Sequence, residues 1–432
     1  MRHSKRKMRT SADKVACVVL AGGKGTRLFP LTGARCKPAV MFGGHYRLVD
    51  IPISNALNAQ LRNIYVVAQY FATGLANHIK ETFPLDHYHA THIDLLTPQD
   101  SPEGKIWFEG TADAVRKNLG SILQSEIEYV LILSGDQLYN MDIAEMLAFA
   151  EEKDADLTIA TLPVGKEEAP RMGLMHINDE CDIISFAEKP KDPKVLAEYE
   201  LSKRFKEKHE IEGEAYLASM GIYIFKKDVL VSLLNDDPRE DFGKHLIPTQ
   251  MERGKTAAYL YQGYWEDIGT VRSFYDANLA LTKNALNLDL YDETQPIFSY
   301  SPPLPSPRVV GTRVTDSIVC QGSVIEADEI TSSIIGIRCV VGKGTKIHGA
   351  IIQGNQFYES PVEKLYETHR PFRVGDNCII ENAIIDENVT IGNNVKLVNE
   401  KKLAVYDGEG IFIRDGIIVV SSGTILPDNF IL

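Results

Sequence analysis

Unbroken apolar runs rich in β-branched residues punctuate roughly the first 300 residues: Val15–Leu20, Ile64–Ala68, Tyr129–Leu133, Leu157–Leu162 and Gly221–Phe225. Runs that are apolar at every position, rather than at alternate ones, predict strands covered on both faces. Between them, Ala112–Gln124 and Ile143–Glu152 have helical character. This alternation predicts an α/β domain built on a mainly parallel sheet. Ligands of such sheets bind beyond the carboxyl ends of the strands, where the strand order reverses. Residues just after strands are therefore the first candidates for a site.

The pattern changes after Ser301-Pro302-Pro303-Leu304-Pro305-Ser306-Pro307, where four prolines fall within six residues. Such a stretch forms neither helix nor central strand and reads as a stiff extended linker. Beyond it the aliphatic period is six: Ile318, Val324 and Ile330; Ile335, Val341 and Ile347; Ile379, Ile385 and Ile391. Gly342, Gly344, Asn388, Gly392 and Asn393 fall between them. A hexapeptide period predicts a parallel β-helix, each coil burying its face against its neighbours. Asn355–Pro371 interrupts the period and reads as a loop insertion. The expected organisation is a basic arm (1–12), an α/β domain (13–298), a linker (299–308) and a β-helix (309–432).

Composition narrows the classes. Hydrophobic residues at 44% and charged residues at 24% are ordinary for a globular chain. A net charge of −13 argues against general nucleic-acid binding. No apolar run is long enough to span a bilayer, and the opening residues do not read as a signal peptide. Cys17, Cys36, Cys181, Cys320, Cys339 and Cys378 are widely spaced, without a Cys-x-x-Cys pair. Free thiols in a reducing compartment, the cytoplasm, are expected. Arg2, Lys5, Arg6, Lys7 and Arg9 make a basic N-terminal arm, read as a solvated terminus, with anion binding as the sharper alternative.

The strongest chemical signal follows the first strand. Leu20-Ala21-Gly22-Gly23-Lys24-Gly25-Thr26-Arg27 is succeeded by Lys37-Pro38. Its three glycines let the main chain approach a ligand and turn N–H groups toward it, as a polyphosphate requires. Arg27 and Lys37 add positive charge. The loop is neither a Walker loop nor a dinucleotide fingerprint. Asp136, just past Tyr129–Leu133, is well placed to hold a hard divalent cation. Taken singly, a loop Asp is more often a turn or a cap. His87, His89 and His92 match no metal-binding spacing and read as loop histidines, and Lys203–His209 reads as an exposed, charged helix face.

The motif Gly22-Gly23-x-Gly25-Thr26-Arg27 with Lys37-Pro38 resembles the signature of the sugar-nucleotide pyrophosphorylases. Arg47-Leu48-Val49-Asp50, Gly110-Thr111-Ala112-Asp113-Ala114-Val115, Ser134-Gly135-Asp136, Glu188-Lys189-Pro190 and Trp265-x-Asp267-x-Gly269-Thr270 narrow the resemblance to the ADP-glucose pyrophosphorylase family. It runs from about Val15 to the C-terminus. The resemblance implies a Rossmann-like nucleotidyltransferase domain followed by a left-handed parallel β-helix. It also implies that ATP and α-D-glucose 1-phosphate give ADP-glucose and pyrophosphate, for α-glucan (glycogen or starch) synthesis.

By the same resemblance Arg27, Lys37 and Asp136 are catalytic, and Asp136 and Asp267 hold Mg²⁺. Leu20, Gly22, Gly23, Gly25, Thr26, Gln69, Gln99, Gly110 and Thr111 hold the nucleotide. Trp107, Phe108, Gly173, Glu188, Lys189 and Ser219 hold the sugar phosphate, with Lys189 on the phosphate and Glu188 on sugar hydroxyls. Pro190 is expected to keep Lys189 in an extended segment. A homotetramer and phosphorylated metabolite effectors bound between the domains are implied as well. The chain departs from the family pattern at Gln137, where many relatives have His. It departs again at Gly33-Ala34, where relatives commonly carry an activator-binding Lys. The rival readings are a transferase using UTP or GTP, a regulatory subunit of a mixed oligomer, and, from the hexapeptides alone, an acyltransferase.

Overall fold

The computed structural model describes residues 8–83, 91–98, 100–101, 104–105, 107–123, 126–283, 288–300, 302–358 and 372–432. Gln99, His87, His89, most of the basic arm and most of the expected loop insertion lie outside these residues. All six cysteines are free thiols, and no described helix is long and apolar enough to cross a membrane.

The central sheet runs in the spatial order Ile183–Glu188, Gly173–Ile177, Tyr216–Lys226, Tyr129–Ser134, Val15–Leu20, Asn63–Val67, His92–Leu96. The last four strands are parallel to one another. Tyr216–Lys226 runs antiparallel to Tyr129–Ser134 and also pairs with Leu157–Val164, which is parallel to Thr256–Leu260. Val15–Leu20 shows why unbroken apolar runs form the centre. Val15, Cys17 and Val19 enter one hydrophobic cluster, Ala16 and Val18 another, and all five are fully buried. Val15–Leu20 is flanked by Asn63–Val67 on one side and by Tyr129–Ser134 on the other, so the strand order reverses at its carboxyl end.

One local expectation about the helices needs correction. The helix expected over Ala112–Gln124 is two pieces, Thr111–Lys117 and Leu119–Ile122. It breaks at Asn118, whose side-chain amide donates to Ala114 O while its backbone leaves helical geometry. Lys203–Lys208 is helical as expected, with only Phe205 turned inward.

The second domain stacks parallel strands in coils, as the period predicts. Ile330, Ile347 and Ile380 lie one above another in register, as do Ile335, Ile352 and Ile385. The third hexad was misphased. Ile379 is 38% exposed, and Ile380 is the buried residue. One corner of each of these coils is a residue short, because it turns at a positive φ: Ser332, Gly349 and Asn382. Ile330 and Ile347, stacked in adjacent coils, are therefore 17 residues apart rather than three full hexads.

The two domains share a core. Ile334, Ile351, Ile384, Ile417 and Val419 of the coil belong to the same cluster as Leu28, Phe42, Phe274 and Leu281. Tyr275 of helix Val271–Ala280 donates its hydroxyl to Gly349 O at 2.5 Å. The start of the linker is also anchored, with Phe298 N, just before it, donating to Ser54 Oγ at 2.8 Å and Ser299 Oγ to Asp50 Oδ2 at 2.8 Å.

Candidate active site

A cleft of about 740 Å³ opens where the strand order reverses. Three strand ends feed it: the glycine loop after Val15–Leu20, Gln69 after Asn63–Val67, and Asp136 after Tyr129–Ser134. Leu20, Gly22, Gly23, Arg27 and Lys37 line it, with Gln69, Phe108, Gly110 and Thr111. Gly173, Glu188, Lys189, Ser219 and Asp267 complete the expected residues found on its walls.

Lys37 is buried in the short turn Lys37–Ala39. Its ammonium lies 2.5 Å from Asp136 Oδ2 and 3.6 Å from Asp267 Oδ1, so the two distant carboxylates meet around one cation. Ser134 Oγ donates to the other Asp136 oxygen at 2.5 Å. Asp267 reaches this point because Trp265–Asp267 pairs antiparallel with Gln137–Tyr139, with Asp267 opposite Gln137. Water reaches 45% of the Asp267 side chain, yet the cleft walls crowd it. This enclosure pushes its carboxyl pKa up; Lys37 and Arg27 oppose the rise, and Asp136 adds to it.

Gly25 does not line the cleft but makes its geometry possible. It has φ +63°, and a β-carbon there would lie 2.9 Å from Thr32 Cγ2 and 3.1 Å from Lys37 Cβ. Thr26 starts the single turn Thr26–Leu28 and is exposed outside the lining. Gln69 is committed to the protein at both ends of its amide. Nε2 donates to Gly22 O at 3.0 Å, and Oε1 accepts from Phe108 N at 3.0 Å. It ties the glycine loop to the segment that leads into helix Thr111–Lys117. Gly110 packs so closely on Glu240 that a β-carbon would lie 2.4 Å from its carbonyl oxygen. Trp107 stacks on Tyr70, a lining residue, at 5.3 Å between ring centroids.

On the opposite wall, Gly173 leaves room for Glu188, since a β-carbon would lie 3.0 Å from Glu188 Oε2. Lys189 Nζ lies 3.1 Å from Glu188 Oε1 and its side chain is 60% exposed. The expected extended backbone is not found at Lys189. Its φ is +50°, and its N–H closes onto Met172 O at 3.1 Å. That hydrogen bond holds a conformation sparsely populated by non-glycine residues, and such strain concentrates at functional sites. Ser219 Oγ accepts from Gly221 N at 3.2 Å. Nearby, burial pushes the Tyr223 hydroxyl up to about 12, which keeps it a neutral donor.

Several lining residues lie outside the candidate site set; of these Gln137 enters the sequence reading as a departure expected to tune the site rather than carry the metal. Gln137 is buried and accepts from Trp265 Nε1 at 3.3 Å, bracing the wall behind Asp267. Asp241, in Asp241-Phe242-Gly243-Lys244, and Trp265, in Trp265-x-Asp267, belong to stretches that carry the family resemblance, which is the available signal. Arg171, in the turn Ala169–Arg171, had none. His92 is structural, opening the edge strand with its N–H on Arg62 O. Among the described residues no group of three or more His, Cys, Asp or Glu could hold a metal.

Two family models match the chain. The one described as nucleotidyl transferase covers residues 16–284. The one described as GLGC left-handed parallel beta-helix domain covers residues 303–431.

Proposed function

Because the chain belongs to the nucleotidyl transferase family, we propose that it transfers the adenylyl group of ATP to α-D-glucose 1-phosphate. The products are ADP-glucose and pyrophosphate, a supply for α-glucan synthesis. The pairing with a GLGC-type β-helix supports the ADP-glucose branch of sugar-phosphate nucleotidyltransferases. The observation that carries the reading is Lys37 with Asp136 and Asp267, facing Glu188–Lys189 across one cleft beside the glycine loop.

A phosphate oxygen of the sugar phosphate attacks the α-phosphorus, the new P–O bond forms, and the bond to pyrophosphate breaks in line. The nucleophile is already an anion, so no protein base is required. The protein's work is alignment and neutralisation of two polyanions. Backbone N–H groups around Gly22 and Gly23, with Arg27 and Lys37, receive the triphosphate. Lys189 takes the sugar phosphate and Glu188 the sugar hydroxyls. Because both ends of the Gln69 amide are engaged by backbone, its role is to hold the loop in shape for the nucleotide.

Asp136 and Asp267 fit magnesium. Two carboxylates share one cation there, and Mg²⁺ takes one or two carboxylates with water and phosphate oxygens. When bound it would neutralise phosphate charge and polarise the transferred phosphoryl group. Control by phosphorylated metabolites, a cytoplasmic location and a homotetramer belong to the same reading. Exposed Val309, Val310 and Val314 on the first coil support assembly through that end.

Pyrophosphate release with ATP, UTP or GTP, each with glucose 1-phosphate and Mg²⁺, tests the proposal. ATP is expected to be preferred, and preference for another nucleotide would overturn the adenylyl assignment.

A further inference from the structure

Arg35 stands two residues before Lys37 and Arg47 ten after it. Both reach out of the first domain to one acidic pair in the β-helix, Asp386-Glu387, whose side chains are only 2% exposed. Arg35 Nη1 donates to Asp386 Oδ1 at 2.6 Å, and its Nη2 lies 2.7 Å from Glu387 Oε2. Arg47 Nη2 lies 3.4 Å from Glu387 Oε1. Through Nη1, Arg47 also donates to the carbonyl of Ala39, the last residue of the turn that carries Lys37. The Arg47 backbone is fixed in turn, its N–H donating to Asp50 Oδ2 at 2.8 Å.

Glu387 thus takes one guanidinium on each carboxylate oxygen, and the two guanidiniums flank the Lys37 turn on either side. The acidic residue does not drift, since its own backbone is stitched into the coil. Its N–H donates to Asp386 Oδ1 at 2.7 Å, and its carbonyl accepts from Ser422 Oγ at 2.9 Å. When Glu387 loses its charge Arg35 keeps Asp386, but Arg47 loses the buried carboxylate it faces and is left uncompensated. Arg47 would then shift, and the Ala39 end of the Lys37 turn, whose carbonyl it holds, would move with it.

We infer that Glu387 is a positioning residue for Lys37, so that the β-helix supplies part of the geometry of the catalytic cleft. Misplacing a reacting or charge-neutralising group by about 1 Å lowers rates by on the order of a hundredfold. The inference rests on the nucleotidyltransferase reading for its kinetic arm and on structure alone for a second arm.

The kinetic test is a double-mutant cycle of Glu387→Gln and Lys37→Ala, read as kcat/KM for pyrophosphate release from ATP. Glu387→Gln is expected to lower it about tenfold in the wild-type background and less than twofold once Lys37 is gone. An equal loss in both backgrounds, or no loss in the first, overturns the inference. Arg272→Ala removes an interdomain hydrogen bond to Asp415 O and is the control expected to leave the rate unchanged. The second arm is hydrogen exchange at Ala39 and Val40, whose N–H groups bond Cys36 O and Lys37 O. Exchange there is expected to quicken about tenfold in Glu387→Gln and not in Arg272→Ala; unchanged exchange overturns the inference. Should Glu387→Gln fail to fold, Arg47→Gln, which removes the guanidinium that joins Glu387 to Ala39 O, carries both arms with the same outcomes. A wild-type chain that releases no pyrophosphate defeats the proposed function, while exchange still decides the positioning role.

Discussion

The ammonium of Lys37 lies 2.5 Å from a carboxylate oxygen of Asp136, and that pair lies in the cleft between the glycine loop and Glu188–Lys189. The lysine keeps two acidic groups compatible at close range. Lys37→Ala is expected to lower kcat about a hundredfold, the usual effect of deleting one electrostatic contact to the transition state. Asp136→Ala is expected to abolish Mg²⁺-dependent turnover. Initial rates measured across a Mg²⁺ titration check both; restored activity of Asp136→Ala at high Mg²⁺ would contradict the second.

Lys189 sits on the opposite wall with its backbone in the left-handed region. Lys189→Ala is expected to raise the KM for glucose 1-phosphate at least tenfold while the KM for ATP stays within about twofold. Varying each substrate at saturation of the other separates the two. A change confined to ATP would reassign the residue to the nucleotide.

Gly25 and Gly23 make a contrasting pair. Alanine at 25 would sit at φ +63° with its methyl 2.9 Å from Thr32, while a β-carbon at 23 meets nothing within 4 Å. Gly25→Ala is expected to destabilise the fold by about 1–2 kcal/mol through backbone strain alone and to push Lys37 aside. Gly23→Ala is expected to leave the melting temperature unchanged and, on the proposed function, to weaken ATP by placing a methyl in the open cleft beside the glycine loop. Melting curves and ATP titrations of the two variants check this.

Asp237 predicts a pH effect away from the cleft. Hydrogen bonds from the Arg239 guanidinium, at 2.8 and 2.5 Å, hold its carboxyl well below the usual range; burial opposes this, and Thr249 adds to it. A depressed folded pKa contributes stability above the unfolded value of about 4 and loses it as pH falls through the folded one. Asp237→Asn is therefore expected to melt below wild type at pH 7, with the gap closing progressively below about pH 4. Melting temperatures between pH 2 and 7 measure it, and a gap that widens on acidification would refute the pairing.

Much of this was readable in the residues. Val15–Leu20 and Tyr129–Ser134 were legible because strands covered on both faces need apolar side chains everywhere, and the glycine loop because close approach to a ligand excludes side chains. What escaped depended on contacts far apart in the chain. That Asp267 meets Asp136 follows from a two-stranded pairing with no local signature. The engagement of Gln69 by Gly22 and Phe108 could not be foreseen from an amide's dual chemistry. Lys189 departs from expectation because the residue before a proline is ordinarily extended, and a hydrogen bond to Met172 overrides that preference. The β-helix was read correctly in kind but misphased at Ile379, because a hexad count does not register a corner shortened at Asn382.

The aliphatic residues that the coil contributes to the first domain's interior have a consequence for dissecting the chain. A fragment ending at the proline stretch would present Leu28, Phe42, Phe274 and Leu281 to solvent along the strip that Ile334, Ile351 and Ile384 now cover. Such a fragment is a candidate for aggregation rather than an autonomous enzyme. Calorimetry of the intact chain should accordingly register one joint endotherm, because the largest buried cluster is made from both halves.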